Sequence, residues 1–231
     1  MLKIPKVAEI IQQTIVEDNE FDLRKLKTSY ENAIKLNDQL SILIVGIKGS
    51  GKTSLALKII EALDLEIYPE LIIRTLPQLV RVYKLIVNDV VKLPYLIIDD
   101  VGNIVEKWGS SSKIHKLIYK MYNIDRPFIP LIILTDTFSL AKHFRELSKI
   151  YVITQKLDLI NSLARFYQPY IDPKYDRVKK RRLGYMIYEH YTPDWLRNQI
   201  DESRKNEIRY LLEELEYELI LRGYYDRYDD I

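Results

Sequence analysis

Between Gly46 and Ser54 the chain reads Gly-Ile-Lys-Gly-Ser-Gly-Lys-Thr-Ser, giving the spacing Gly46-x-x-x-x-Gly51-Lys52-Thr53. Gly46, Gly49 and Gly51 reach backbone angles closed to other residues, so successive N–H groups can turn inward. With the positive end of a following helix, the backbone of Gly46, Ile47, Lys48, Gly49, Ser50, Gly51 and Lys52 through Ser54 forms a cradle for phosphate oxygens. Lys52 is then expected to neutralise β- and γ-phosphates, and the Thr53 hydroxyl to ligate Mg²⁺. The bland alternative is a flexible turn with an exposed lysine. It does not account for an apolar strand pattern before the turn and a helical pattern after it.

A second acidic element follows at "LIIDDVG". Four apolar residues carry Asp99 to the carboxyl end of a strand, where open α/β sheets bind ligands. Asp99 is expected to hold the Mg²⁺ shell opposite Thr53, and Asp100 to act as base on a water in line with the γ-phosphate. An acid pair that merely caps a turn is the plainer reading. In "LIILTDTFSL", Thr135 ends another strand and is placed to orient that water, with Asp136 as the alternative. GTP chemistry competes, because Asp99-x-x-Gly102 and "TQKLD" at 154–158 approximate guanine-nucleotide motifs. Against it stand Gln155, where such motifs carry Asn, and a helical pattern at 77–91 where GTPases of the Ras type join two strands by an antiparallel hairpin.

These residues need a scaffold. Helical spacing marks 5–38, then a strand at 42–45 and a helix from Ser54. Further strands are expected at 71–75, 95–99, 130–136 and 150–154, alternating with helices at 77–91, 112–124 and one ending near Leu147. Alternation of this kind implies right-handed crossovers and a parallel sheet, and the continuous apolar runs imply burial on both faces. The expected fold is therefore α/β: a five-stranded parallel sheet between helices, spanning 39–160. An N-terminal helical segment, 1–38, precedes it. Residues 161–231 are expected to form a basic loop, a strand with Tyr185, Ile187 and Tyr191, and a helix of about 30 residues opened by Thr192 and Pro193 and closed by Gly223.

Composition sets the outer limits. The 231 residues are 47% hydrophobic and 29% charged, as in a globular protein. No apolar run approaches the roughly 20 residues of a membrane span, and the N-terminus lacks a signal-peptide core, so an intracellular, cytoplasmic protein is expected. The absence of Cys excludes disulfides and thiol catalysis, and His115, His143 and His190 are too scattered to suggest a metal site. A net charge of +2 compels no nucleic-acid binding by itself. Many Lys, Glu, Ile and Tyr with few Gly suggest a thermophilic host.

Over residues 40–155 the chain resembles the P-loop ATPases of the AAA+ class, in the branch of DnaA initiators, DnaC-type helicase loaders and IstB-type transposition ATPases. The likeness rests on "GIKGSGKTSLA", "LIIDDVG" and "MYNIDRPFIPLIILTDTFSL". It implies ATP with Mg²⁺, Asp99 and Asp100 as the Walker B acids, and Thr135 or Asp136 as the first γ-phosphate sensor. Loaders place a Ser-Arg after the next helix, whose Arg reaches a neighbouring subunit. Here Ser148 is followed by Lys149, and Arg145 lies one turn earlier, so these two are the candidate fingers. The usual helical lid is not evident past residue 160, which favours a viral or plasmid DNA-translocating ATPase as runner-up.

The segment "KYDRVKKRR" packs Lys174, Arg177, Lys179, Lys180, Arg181 and Arg182 together. Such a run neutralises phosphates without reading sequence, and Tyr170, Tyr175 and Tyr185 are placed to stack on bases. A solvated surface is the plain alternative. The last helix carries Ile208, Leu211, Leu212, Leu215, Leu219 and Leu221 as an apolar stripe, for packing on its own domain or for docking on a helicase or another copy. The sequence thus points to a Mg²⁺-dependent ATPase acting on DNA, with a non-hydrolysing nucleotide switch as the non-enzymatic alternative.

Overall fold

The structure, a computed structural model, describes residues 19–89, 92–102, 120, 125–137, 148–172, 177–191 and 193–221. The helix expected at 5–18, most of that at 112–124, the one ending near Leu147, and the residues Thr192 and Gly223 lie outside them.

Runs of Leu, Ile and Val make strands that are covered on both sides. β1 (Leu40–Val45) is buried at every position, as is β4 (Leu131–Asp136). Together with β2 (Ile72–Ile73), β3 (Leu96–Ile98) and β5 (Ile150–Lys156) they form a parallel array. The strand order is β2-β3-β4-β1-β5, so β4 is inserted between the strand that leads into Gly46 and the strand that leads into Asp99. Ile42 pairs in register with Ile133 on one side and Ile150 on the other.

Helices cover this array. α1 (Lys25–Lys35) buries Leu26, Tyr30 and Ala33, and the Tyr30 hydroxyl donates to the Pro94 carbonyl at 3.1 Å. α2 (Lys52–Ala62) buries Leu55, Ala56, Leu57, Ile59 and Ile60. α3 (Leu76–Asp89) sends Leu79, Val82 and Ile86 into a core with Leu43, Ile73, Leu96, Ile98 and Leu134. Each fully buried side chain of this kind contributes roughly 1.5–3 kcal/mol.

The chain departs from the expected five strands. β6 (Asn161–Asp172) and β7 (Arg177–Glu189) continue the same sheet antiparallel to β5, giving seven strands in the order β2-β3-β4-β1-β5-β6-β7. Residues 179–182, expected in a basic loop, lie in β7, and the compact unit that holds the sheet runs to Tyr191 and not to residue 160. A cation-rich strand hides its period-2 pattern because exposed and half-exposed positions at a sheet edge need no apolar residue. Residues 19–21 join the outer side of β7: Phe21 N donates to the Tyr185 carbonyl at 2.6 Å, and Phe21 stacks on Phe166 at 4.2 Å.

From Thr192 onward the chain forms a second compact unit, whose described part is α4 (Asp194–Leu221), a helix of 28 residues. Ile208, Leu212 and Leu215 of its stripe are more than half exposed. No described helix is long and apolar enough to cross a membrane. The architecture is the α/β fold of the P-loop NTPases, as the strand order and the loop geometry below require.

Candidate functional site

The loop after β1 starts where Gly46 N donates to the Asp136 carbonyl at 3.1 Å. Gly49 and Gly51 adopt positive φ (79° and 75°), which side chains rarely tolerate. Gly46 serves differently: a Cβ there would meet Thr154 Oγ1 at 2.2 Å and Ser50 Oγ at 2.4 Å. Its smallness, rather than its freedom of angle, is what the loop uses. Ile47, Lys48 and Gly49 form an exposed rim, while Ser50 and Ser54 are buried.

Beneath the rim the loop is tied to strands far along the chain. Ser50 and Thr154 share a hydroxyl–hydroxyl bond of 2.7 Å, and Thr154 Oγ1 donates to the Val45 carbonyl at 3.1 Å. The Tyr188 hydroxyl of β7 is shared between the carbonyls of Ser50 and Gly51, at 3.0 and 3.1 Å. Burial holds that phenol far above its ordinary range. The His190 ring lies against Gly51 and bonds the Ser162 hydroxyl; burial, aided by Lys156 and opposed by Asp158, lowers its pKa. Sequence reasoning missed Thr154, Ser162, Tyr188 and His190 as parts of the loop's support. The available signal was Tyr188's place on the inward side of an alternating strand.

Lys52 folds back over the loop, donating to the carbonyls of Gly46 at 2.9 Å and Ile47 at 3.2 Å. Burial lowers its pKa, and Asp100, Asp99 and Asp136, in that order, oppose the shift. The ammonium therefore stands in a carboxylate-rich corner.

Asp99 is the hub. Its Oδ1 accepts from Thr53 Oγ1 at 2.9 Å and from Thr135 Oγ1 at 2.7 Å, and its Oδ2 accepts from Arg74 Nη2 at 2.7 Å. Asp100 N donates to the same Thr135 hydroxyl at 2.9 Å. Asp100 also sits at φ 61°, a left-handed conformation costing a non-glycine residue of order 1 kcal/mol. Asp136 is buried but turned elsewhere: Oδ1 accepts from Thr137 N at 2.6 Å and lies beside Gly102. Thr135, not Asp136, thus joins the two acids. Arg74 was not foreseen, since a lone arginine after a short strand carries no pattern. A hydroxyl and a carboxylate meeting at 2.9 Å beside the glycine loop are hard oxygen donors of the type Mg²⁺ takes, so these residues fit that ion.

The remaining predicted positions lie apart. Lys149 is at the opposite end of the sheet, where its N–H donates to the Ser41 carbonyl at 2.9 Å and its ammonium pairs with Asp38. Arg145 and Lys174 lie outside the described residues, as does the side chain of Arg177. Lys179, Lys180, Arg181 and Arg182 are exposed along β7; Lys180 stands 3.5 Å over the Tyr151 ring and Arg181 Nη2 donates to Gln168 at 3.0 Å. In the stretch at 154–158, Asp158 caps the β5–β6 turn by accepting from Ile160 N, Asn161 N and the Asn161 amide at 2.7, 2.6 and 3.0 Å. Thr154 is engaged under the loop. Gln155, the position that would read a base together with Asp158, accepts at Oε1 from Arg165 Nη1 at 3.2 Å, and β2 and β3 run parallel with α3 between them instead of forming a hairpin.

No family model matches the chain, and no curated protein matches it. Solved structures are similar at low level. A DNA polymerase III gamma subunit-related protein from Thermotoga maritima is 16% identical with a TM-score of 0.41, covering 59% of this chain and 46% of its own. The RuvB protein of the same organism is 18% identical with a TM-score of 0.38, over the same shares. The N-terminal domain of zonular occludens toxin from Neisseria meningitidis is 16% identical with a TM-score of 0.39, covering 63% of this chain and 93% of its own. The chain spans about half the length of the first two. Strand order and loop geometry, and not these distant likenesses, establish the fold.

Proposed function

We propose that this protein is a Mg²⁺-dependent ATPase that couples hydrolysis to work on DNA, of the replication-initiation or helicase-loading type. One observation carries the enzymatic part. The chain Thr53–Asp99–Thr135–Asp100 is continuous in hydrogen bonds and joins the phosphate loop to the ends of β3 and β4. A structural acid pair would need no hydroxyl from the loop and no residue at φ 61°.

In this reading the glycine loop's N–H groups and Lys52 take the β- and γ-phosphates, and Lys52 releases its two carbonyl partners as the anion arrives. Thr53 and Asp99 hold Mg²⁺, which when bound neutralises developing phosphate charge. Thr135 fixes both Asp99 and the backbone of Asp100. Asp100 accepts a proton from water as the water oxygen attacks the γ-phosphorus in line and the bond to the β–γ bridging oxygen breaks, giving ADP and phosphate. Asp136 orients the strand end. For a trans-acting finger the candidates remain Arg145 and Lys149; the Asp38 pair means that Lys149 would first have to be released.

Exposed cations on β7 support contact with nucleic-acid phosphates. The antiparallel hairpin β6–β7, standing where a loader carries its helical lid, favours a second reading, a DNA-translocating or packaging ATPase with the same hydrolytic site. Both place the protein inside the cell and allow assembly with a helicase or with its own copies.

Asp100→Asn tests the reading. It is expected to retain ATP affinity within about threefold while turnover falls roughly 10²–10⁴-fold, the usual worth of a general base. Unchanged turnover in that variant would leave a nucleotide switch; tighter binding of GTP than of ATP would reinstate the guanine alternative.

A further inference from the structure

Asp99 has more partners than a metal ligand requires. Besides the two hydroxyls on Oδ1, its Oδ2 is held at 2.7 Å by Arg74, and the two side chains are only 12% and 11% exposed. A pair this dry resists exchange with water, and a carboxylate stripped of its partner there is strongly disfavoured.

The backbone aims the arginine. Asp99 N donates to the Ile73 carbonyl at 2.8 Å, so the ends of β2 and β3 are locked side by side. Arg74 N and Thr75 N both donate to Gln78 Oε1, at 2.9 and 3.1 Å, and Gln78 N donates back to Thr75 Oγ1 at 3.4 Å. That is a capping box at the start of α3. It leaves Arg74 immediately before the Thr75 cap, with its side chain directed across to Asp99.

We propose that Arg74 is an intrinsic counter-charge that occupies Asp99 until divalent metal arrives, so that loading of the Thr53–Asp99 site must displace the guanidinium. The inference rests on the reading of Asp99 as the metal-holding acid and adds a regulation to it. Two cations compete for one carboxylate. With Arg74 in place, the site tolerates a metal-free triphosphate, because Asp99 is neutralised; the same pair weakens the metal-loaded state by what it costs to open. Removing Arg74 reverses both effects. Metal-free nucleotide meets an uncompensated acid, and metal-bound nucleotide meets a carboxylate with no rival.

The quantity to measure is the ratio of affinities for a fluorescent, non-hydrolysable ATP analogue with saturating Mg²⁺ and with EDTA. Arg74→Met is expected to raise that ratio at least tenfold over wild type. If Arg74 only supports the fold, both affinities shift together and the ratio stays within twofold, which overturns the proposal. Should Arg74→Met fail to fold by circular dichroism, Arg74→Lys carries the test: a point charge pairs more weakly than a guanidinium fork, so the ratio rises at least threefold, and an unchanged ratio again overturns it. A wild-type chain that binds no analogue in either buffer removes the nucleotide site itself. Wild-type binding with an unmoved ratio in the variant removes the Arg74 inference alone.

Discussion

Asp125 sits at the end of the sheet away from the phosphate loop, beside Gln39, which immediately precedes β1. Gln39 Nε2 donates to Asp125 Oδ1 at 2.9 Å and to the Ile129 carbonyl at 3.0 Å, and the Tyr83 hydroxyl donates to Oδ2. Burial pushes its pKa from the usual 3.8 to about 6, against the pull of those two donors and of Arg126. The folded state therefore holds a proton that the unfolded chain has released between those values. The stability this supplies is fully present below pH 3.8 and is lost as pH rises through about 6. Asp125→Asn keeps an acceptor for Gln39 and removes the charge, so its stability relative to wild type should climb across that window, by up to about 3 kcal/mol at 1.36 kcal/mol per unit. Urea denaturation midpoints at several pH values check this, and parallel curves for the two proteins would refute it. At this scale the sequence was only partly legible. The loop glycines and the acid pair announce themselves by spacing. Arg74 and Asp125 do not, because their roles arise from what β2, β3 and α3 bring beside them.

Among elements, β7 is the one the sequence disguised. Its outward cations imitate a loop, yet the strand pairs with β6 over its whole length, with a register shift between Phe166 and Tyr167. The parallel strands were legible because both faces are covered and most positions are apolar. At the edge only one side needs filling, so Met186 and Tyr188 alternate with the exposed Ile187 and Glu189. Placement in a strand changes what the cations can do: neighbouring side chains point to opposite faces, so Lys179 and Arg181 project to one face and Lys180 and Arg182 to the other. A duplex lying against a single face would engage about half of them; a single strand wrapped over the edge would engage all. Replacing Lys179, Lys180, Arg181 and Arg182 together by Ala is expected to flatten the dependence of log affinity on log salt by roughly three units for single-stranded DNA, at about 0.7 per phosphate contact, and by less than two for duplex. Identical slopes in filter binding before and after substitution would exclude β7 as the contact.

For the molecule as a whole, the fold class and the parallel direction of its first five strands follow from the alternation of apolar runs with helical spacing. The extent of the unit that holds the sheet does not, since nothing in the pattern shows that a hairpin past residue 160 returns to the loop. Tyr188 lies 138 residues beyond the Ser50 carbonyl it holds. A chain ending at residue 160 keeps β1 to β5 and the contact from Thr154, and loses those from Tyr188 and His190. Compared with a chain ending at residue 191, it is expected to bind the ATP analogue at least tenfold more weakly while retaining helical circular dichroism; equal affinity would show the hairpin to be dispensable. The same contact limits modularity. The signature around residue 50 cannot be transplanted into another protein as a self-sufficient cassette with its parallel strands, because part of its anchorage is inherited from a downstream segment that no local motif announces.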